Sequence, residues 1–498
     1  MVWKIAGKEL LSNMLTLRFF VGTLLFLSLA VLLAYVLLGD YQIQLENHDR
    51  LASMSQDELG KLMAYKNLKP IIYKPPEVLA IFSKGVEGNM GNSARVSIGE
   101  VPEIKSATTS KNPLLSVFPV LDIALIFKLV ISVLAILVAY DTISGEREDG
   151  TLRLIMSNSV PRHQMLFGKS IGGMITLGIP IAIGFLMISL ILESSPVVEL
   201  TGGHWARIAL MFLLSLIMVS VLLNLGLLLS SITKRSSDTL IFLLFLWVLF
   251  VLVIPNGSAY LAKRIKPIEP RERIDSQVQE VWRRYQDEFS DFSGRTPWPN
   301  NASQSDASDP WGGYHAFASK NLIIYKQKRY AFGEPLRIKY ADRAYQAERS
   351  YLEGMMRQKR LAESISRASP IAIYENLING LSRTDIQSFE SFAGQLREYR
   401  QQIIDYLYGV KAFSSTRYFA AVKEEYLYDN SQAGYGELRE KYSDTSQLDV
   451  SGVPQFHYRP EDVTTTVKRI LPDVVILCFM SVLFFMCAFL AFLRCDIR

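Results

Sequence analysis

Residues 141–170 read DTISGEREDGTLRLIMSNSVPRHQMLFGKS and close on Gly168-Lys169-Ser170, the tail of a phosphate-binding loop. Such a loop needs a glycine, four residues, then Gly-Lys-Ser/Thr, set between a strand and a helix. The first glycine would fall at position 163, which is His163, and the segment runs straight into an apolar stretch with no strand before it. The lysine is a decoy, and no other phosphate loop occurs in the chain. The histidines, at 48, 163, 204, 315 and 457, are too scattered for ligand spacing, so the sequence predicts no metal centre and no catalytic triad. Cys478, Cys487 and Cys495 all lie in or just after the last apolar run, so no disulfide framework is expected. A net charge of +5 spread over 498 residues gives no basic stripe for nucleic acid. The remaining chemistry is a set of charges inside apolar runs: Asp122, Lys128 and Asp473. A charge at mid-bilayer costs roughly 2.5–3.5 kcal/mol on insertion scales, so such residues face protein or water and pair. Two readings stand for Lys128: a pair with Asp473 or with Asp122 of a second subunit, or snorkelling to the interface with no role in transport.

The elements that must hold these residues are membrane helices. The chain is 49% hydrophobic, and the apolar residues cluster. Six runs approach or exceed the roughly 20 residues that cross a bilayer, at 17–38, 117–140, 170–193, 206–232, 238–258 and 469–494. Hydrocarbon cannot solvate free peptide groups, so each must be helical. Residues 1–16 alternate apolar positions with Lys4, Lys8 and Glu9, as an amphipathic interfacial helix would, ahead of an uncleaved anchor. Lys4, Lys8, Arg18, Lys234, Arg235 and Arg494 fall on one side of a six-span topology. The positive-inside rule makes that side cytoplasmic, with both termini and the 141–169 loop on it.

Residues 39–116 and 259–468 are then extracytoplasmic. The first carries turn signals at Pro75-Pro76, Gly88, Gly91 and Gly99 and a short alternating stretch around 96–98. The second reads mainly helical, with helices near 267–292, over 336–368 and over 386–407, and a Pro/Gly/Ser/Asn-rich loop near 293–313. Within it, SPIAIYENLINGLSRTD (369–385) predicts a Ser369-capped helix with Pro370 in its first turn and Tyr374, Leu377 and Ile378 on one apolar face. Such a helix either dips into the outer leaflet or forms part of the external core, and periodicity favours the core. The expected fold is therefore an all-α polytopic membrane protein with a mainly helical external domain containing a little β.

In the 141–170 stretch, Gly150 breaks the chain, Thr151 can cap, and 151–157 make a short helix with exposed leucines, fit for a partner groove or for lying on lipid. The order Glu146, Gly150-Thr151-Leu152, Leu154-Ile155, Ser157 to Pro161-Arg162, then Gly168-Lys169 resembles the signature of permease subunits of the type-2 ABC exporter family. A subset with a large domain between spans five and six is similar also in its Ser-Pro…Thr-Asp segment. The resemblance implies that 151–157 is a coupling helix seated in a separate cytoplasmic ATPase, with Glu146, Arg147, Gly150, Thr151, Leu152, Arg153, Leu154, Ile155, Ser157 and Arg162 forming the coupling site. It implies a second permease copy or paralogue, a prokaryotic inner membrane, and ATP and magnesium held by the partner and not by this chain. The expected function is export of a hydrophobic or amphipathic substrate, since spans three to five are almost wholly apolar, with Asn224 one of the few exceptions. The alternative is an ATPase-driven transmitter of force to an extracytoplasmic partner. A membrane-anchored enzyme ranks last, because nothing in the external segments arranges acid, base and nucleophile.

Overall fold

The computed structural model describes residues 2–86, 91–105, 121–157, 161–298, 320–419 and 447–494. Parts of the expected second span (117–120), the turn at 158–160, most of the polar loop (299–319), Gly88 and Cys495 lie outside the described residues. In chain order the helices are α1 (Val2–Met14), α2 (Leu17–Gly60), α3 (Ile123–Glu148), α4 (Thr151–Ser157), α5 (Arg162–Glu193), α6 (Gly202–Ile232), α7 (Ser236–Ile265), α8 (Arg271–Arg295), α9 (Lys320–Ser366), α10 (Pro370–Leu381), α11 (Ile386–Gly409) and α12 (Val463–Leu493). Six of them, α2, α3, α5, α6, α7 and α12, are long and apolar enough to cross a membrane. Each overlaps one of the six apolar runs. The protein is an all-α polytopic membrane protein.

Helix starts follow local chemistry. The Thr16 hydroxyl accepts from the Phe19 N–H, Asp122 from Leu125 and Asp462 from Thr464, each satisfying a donor of a first turn. Helix ends depart from the apolar runs. α2 does not stop near residue 38 but runs on to Gly60, 44 residues in all, a length of about 66 Å at 1.5 Å per residue. α7 passes through Pro255 because a π turn at Leu249–Val253 precedes it, and this proline sits where a missing N–H is tolerated.

The bundle core joins α2, α3, α5 and α6 around Phe26, Phe127, Leu177, Ile181, Met211 and Met218. α12 packs most extensively on α6. A second core is built from the three-stranded antiparallel sheet β1 (Ile71–Tyr73), β2 (Ser93–Arg95), β3 (Ile104–Lys105) with α9, α11 and residues 412–419. Ile71 pairs with Arg95, and Ser93 with Lys105. The strand falls just ahead of the 96–98 stretch: Val96 is buried and bonds the Pro70 carbonyl, and Ser97 bridges to Glu100. The expected helix over 386–407 lies within α11, and the one over 336–368 corresponds to the C-terminal part of α9, which ends at Ser366.

α10 departs from the expected external core. Ser369 caps it as predicted, accepting from the Ala372 N–H at 3.2 Å. Yet Ile373, Tyr374, Leu377, Ile378 and Leu381 belong to the bundle core, against α6, α12 and the π turn of α7. The reason is that nearly every face is apolar and buried, not one stripe. Nine of its twelve residues are buried, leaving only the Glu375, Asn376 and Asn379 side partly open; a helix so largely apolar needs neighbours on most sides, and the bundle end supplies them.

Candidate functional site

The site is built where α3 hands over to α4. Gly150 sits at φ +72°, a left-handed conformation that costs a residue with a side chain about 1 kcal/mol or more, and no atom crowds the position. That reversal starts α4. The Thr151 hydroxyl donates to the Glu146 carbonyl at 3.2 Å. Leu152 is 2% exposed and packs with Ile143, Met165, Leu166, Leu227, Ala488 and Phe492, and Ile155 joins from the edge. Arg153 and Leu154 lie on the open face, with Leu154 69% exposed. Ser157 closes the helix. The short helix is thus fastened to its own bundle by one face and exposed to solvent on the other. Of the two leucines in the expected docking face, Leu152 is an anchor and only Leu154 is presented.

The charged residues beside it are mostly committed within the chain. Lys169 is buried and its ammonium lies 2.5 Å from Glu9, 3.0 Å from Glu146 and 2.8 Å from the Thr142 carbonyl. Lys8 reaches Glu146 at 3.4 Å. The lysine that mimics a phosphate-loop residue therefore clamps α1 and α3 onto α5. Arg147 donates to the Thr233 and Ser231 carbonyls at 2.6 and 3.3 Å, closing the C-terminus of α6. Arg162 does the same for α12, donating to the Phe492 and Leu493 carbonyls at 3.0 and 2.6 Å. Arg18 holds Tyr140 and Asp141. Lone carbonyls at a helix end attract cations through the helix dipole. Glu146, Arg147 and Arg162 thus position α4, while Leu154 faces away from the bundle and exposed Arg153 lies to the side, between that face and the bundle.

At the opposite end the embedded charges find partners other than those expected. Lys128 bonds Glu375 on α10 at 2.8 Å, not Asp473. Asp473 pairs with Arg367 at 2.6 Å. Asp122 caps α3 and accepts from the Ser83 hydroxyl at 3.2 Å and the Lys84 N–H at 3.1 Å. Tyr374 meets Ser215 of α6 at 2.9 Å, and Pro370, Leu377 and Ile378 are buried around it. These pairs tie α10 into the bundle because a charge in an apolar setting is tolerated only with a counter-charge at hand.

Sequence reasoning missed Arg207, the largest fully buried side chain. It donates to the Leu381 and Glu461 carbonyls at 3.0 and 2.9 Å and to the Thr466 hydroxyl at 3.0 Å, joining the end of α10 to the start of α12. Arg469 adds bonds to Asp385 and Glu461. A lone arginine at the start of an apolar run with no other charge was the available signal.

Comparison with known proteins decides the family. The profile described as ABC-2 family transporter protein matches residues 3–497. The chain belongs to the ABC-2 transporter family. Among curated relatives, a probable ABC transporter permease protein NosY of Stutzerimonas stutzeri is 37% identical over 124 residues, 24% of this chain and 44% of the relative. Its Pseudomonas aeruginosa namesake is 37% identical over 123 residues, with the same shares covered. The match thus spans less than half the length of either relative. Among the described residues no group of histidine, cysteine and carboxylate side chains is placed to hold a metal.

Proposed function

We propose that this chain is the membrane subunit of an ATP-driven exporter, and that α4 couples it to a separate cytoplasmic ATPase subunit that binds ATP and magnesium. One observation carries the reading: α4 is anchored through Leu152 and Ile155 and offers Arg153 and Leu154 outward. A lever has to be rigid toward its own body and free toward its driver. Closure of the ATPase would move α4, and the Lys169, Arg147 and Arg162 contacts would pass that movement to α1, α6 and α12. Coupling of this kind requires different contacts in the two states. The α4 end also gathers Lys4, Lys8, Arg18, Lys234, Arg235 and Arg494, which supports a cytoplasmic placement of that end and of both termini. The setting is a prokaryotic inner membrane, the second core lies outside it, and a second permease copy or paralogue completes the unit. The continuous apolar bundle core favours a hydrophobic or amphipathic cargo.

A second reading, force transmission without cargo, has its own support. α2 is one unbroken helix of 44 residues that reaches from the bundle core to the second core. Proteoliposomes distinguish the two, since only an exporter shows ATP-dependent loss of a lipophilic tracer. The coupling assignment is tested by co-purification. Leu154→Asp should release the ATPase subunit while the permease keeps its fold and thermal stability. Leu152→Ala should instead lower stability by about 2–5 kcal/mol, as a core truncation does. Full ATPase binding by Leu154→Asp together with Arg153→Glu would refute the docking face.

A further inference from the structure

A cleft of about 1080 Å³ opens at the α4 end of the bundle, between α4 and the C-terminal turns of α6 and α12. It lies at the upper edge of the roughly 300–1,000 Å³ typical of ligand sites. Its rim carries Arg153, Lys234 and Arg494, and its floor is made by Leu228, Ile232 and Leu490. None of these three cations has an ion pair among the described residues. Arg147 also lines the cleft, while the one acidic lining residue, Glu148, accepts from the Ser236 hydroxyl at 2.7 Å. From Arg494 the lining on α12 descends two turns to Cys487, about 10 Å along the helix axis. Charge at the mouth and hydrocarbon below is the profile of the boundary between headgroups and acyl chains.

We propose that this cleft is a binding site for an anionic phospholipid. The phosphate would sit among Arg153, Lys234 and Arg494, with the upper acyl chain on Leu228 and Leu490. Neither alternative occupant, a water-soluble subunit or a second copy, matches as well. Leu228 and Leu490 lie about one turn inside the ends of α6 and α12, at the depth of acyl chains, and a second copy seated face to face would bring like charges together. Because Leu152 and Arg153 form one wall, the lipid would brace α4 against α6 and α12. This goes beyond the coupling assignment and does not depend on it.

The test uses the full chain without its ATPase, in nanodiscs of phosphatidylcholine with or without dioleoylphosphatidylglycerol, and reads retained lipid by native mass spectrometry. The wild type should retain phosphatidylglycerol in preference to phosphatidylcholine. Lys234→Gln with Arg494→Gln, which leaves Arg153 intact, should weaken that preference on the order of ten- to thirty-fold. Leu490→Trp, a filling change at a site 56% exposed, should lower retention of both lipids with the fold intact by circular dichroism. Lys263→Gln with Arg264→Gln, beyond the other end of α7, should leave retention unchanged. Equal retention of the two lipids would overturn the proposal, as would full displacement by inorganic phosphate, which would mark a site for a free anion. In a separate co-purification with the ATPase subunit, loss of that subunit from the Lys234/Arg494 variant, with phosphatidylglycerol still retained in the nanodiscs, would assign the cleft to the docking seat and overturn it too.

Discussion

Lys169 shows how little a residue's type says before its neighbours are known. In sequence it completes a phosphate-loop tail. In the fold it is 2% exposed between Glu9 and Glu146. Removing one member of a buried ionic group leaves the others uncompensated, at a cost of about 3–5 kcal/mol. Lys169→Met should therefore lower the thermal midpoint of the purified chain sharply. Adding Glu9→Gln and Glu146→Gln should recover most of it, because neutral groups of the same shape no longer need the ammonium. An additive loss in the triple variant would show that the ionic group is not the cause. The same lesson holds for the leucines of α4. The sequence offers Leu152 and Leu154 alike as exposed leucines of a short helix, and only the position of α5, α6 and α12 decides that the first is buried and the second, on the opposite side of the helix, is exposed.

At the scale of elements, the α3–α6 crossing depends on a close approach. A Cβ added at Gly226 would lie 2.3 Å from the Ala139 Cβ, far inside contact distance. Small residues at such crossings let membrane helices pack by dispersion where lipid removes the hydrophobic drive. Gly226→Ala should push the two helices apart and cost about 1–3 kcal/mol, read as a lower unfolding midpoint in detergent. Gly39→Ala, where no atom comes within 4 Å of the added carbon, is the matched control and should change little. The six spans were legible because composition alone forces them. The placement of α10 was not. Its cap and its length were readable from Ser369-Pro370, whereas its home in the bundle rests on Lys128–Glu375 and Tyr374–Ser215, partners 247 and 159 residues apart.

For the whole molecule, two cores are joined by α2, by the Arg207 and Arg469 bonds, and by the lead-in to α12. The second core contains a carboxyl group that makes its stability depend on pH. Glu334 of α9 is 8% exposed, and burial pushes its carboxyl above the ordinary range even though Arg337, Lys66, Lys69 and a hydrogen bond to Tyr418 oppose the shift. A carboxyl raised on folding holds its proton longer in the folded state. Its ionisation therefore costs stability as pH climbs from the unfolded value through the folded one, and the cost is full above both. Glu334→Gln keeps an acceptor for Tyr418 and abolishes the charge. It should raise the unfolding midpoint at about pH 8 and change it little at about pH 4, where both forms are neutral. A gain of equal size at both pH values would place the effect in packing, not in ionisation.

What the sequence determined by itself was whatever one segment settles alone. A stretch of some twenty apolar residues has a single backbone solution in lipid, and a missing glycine at His163 is enough to dismiss a phosphate loop. The capped start of α10 and the run of motif residues at 146–169 are local in the same sense. Only the tertiary structure decided which charge meets which, that α10 belongs to the bundle, that Arg207 bolts it there, and which face of α4 remains bare. Periodicity sets the phase of a helix relative to itself. Its phase relative to a neighbour hundreds of residues away depends on packing that no single segment contains.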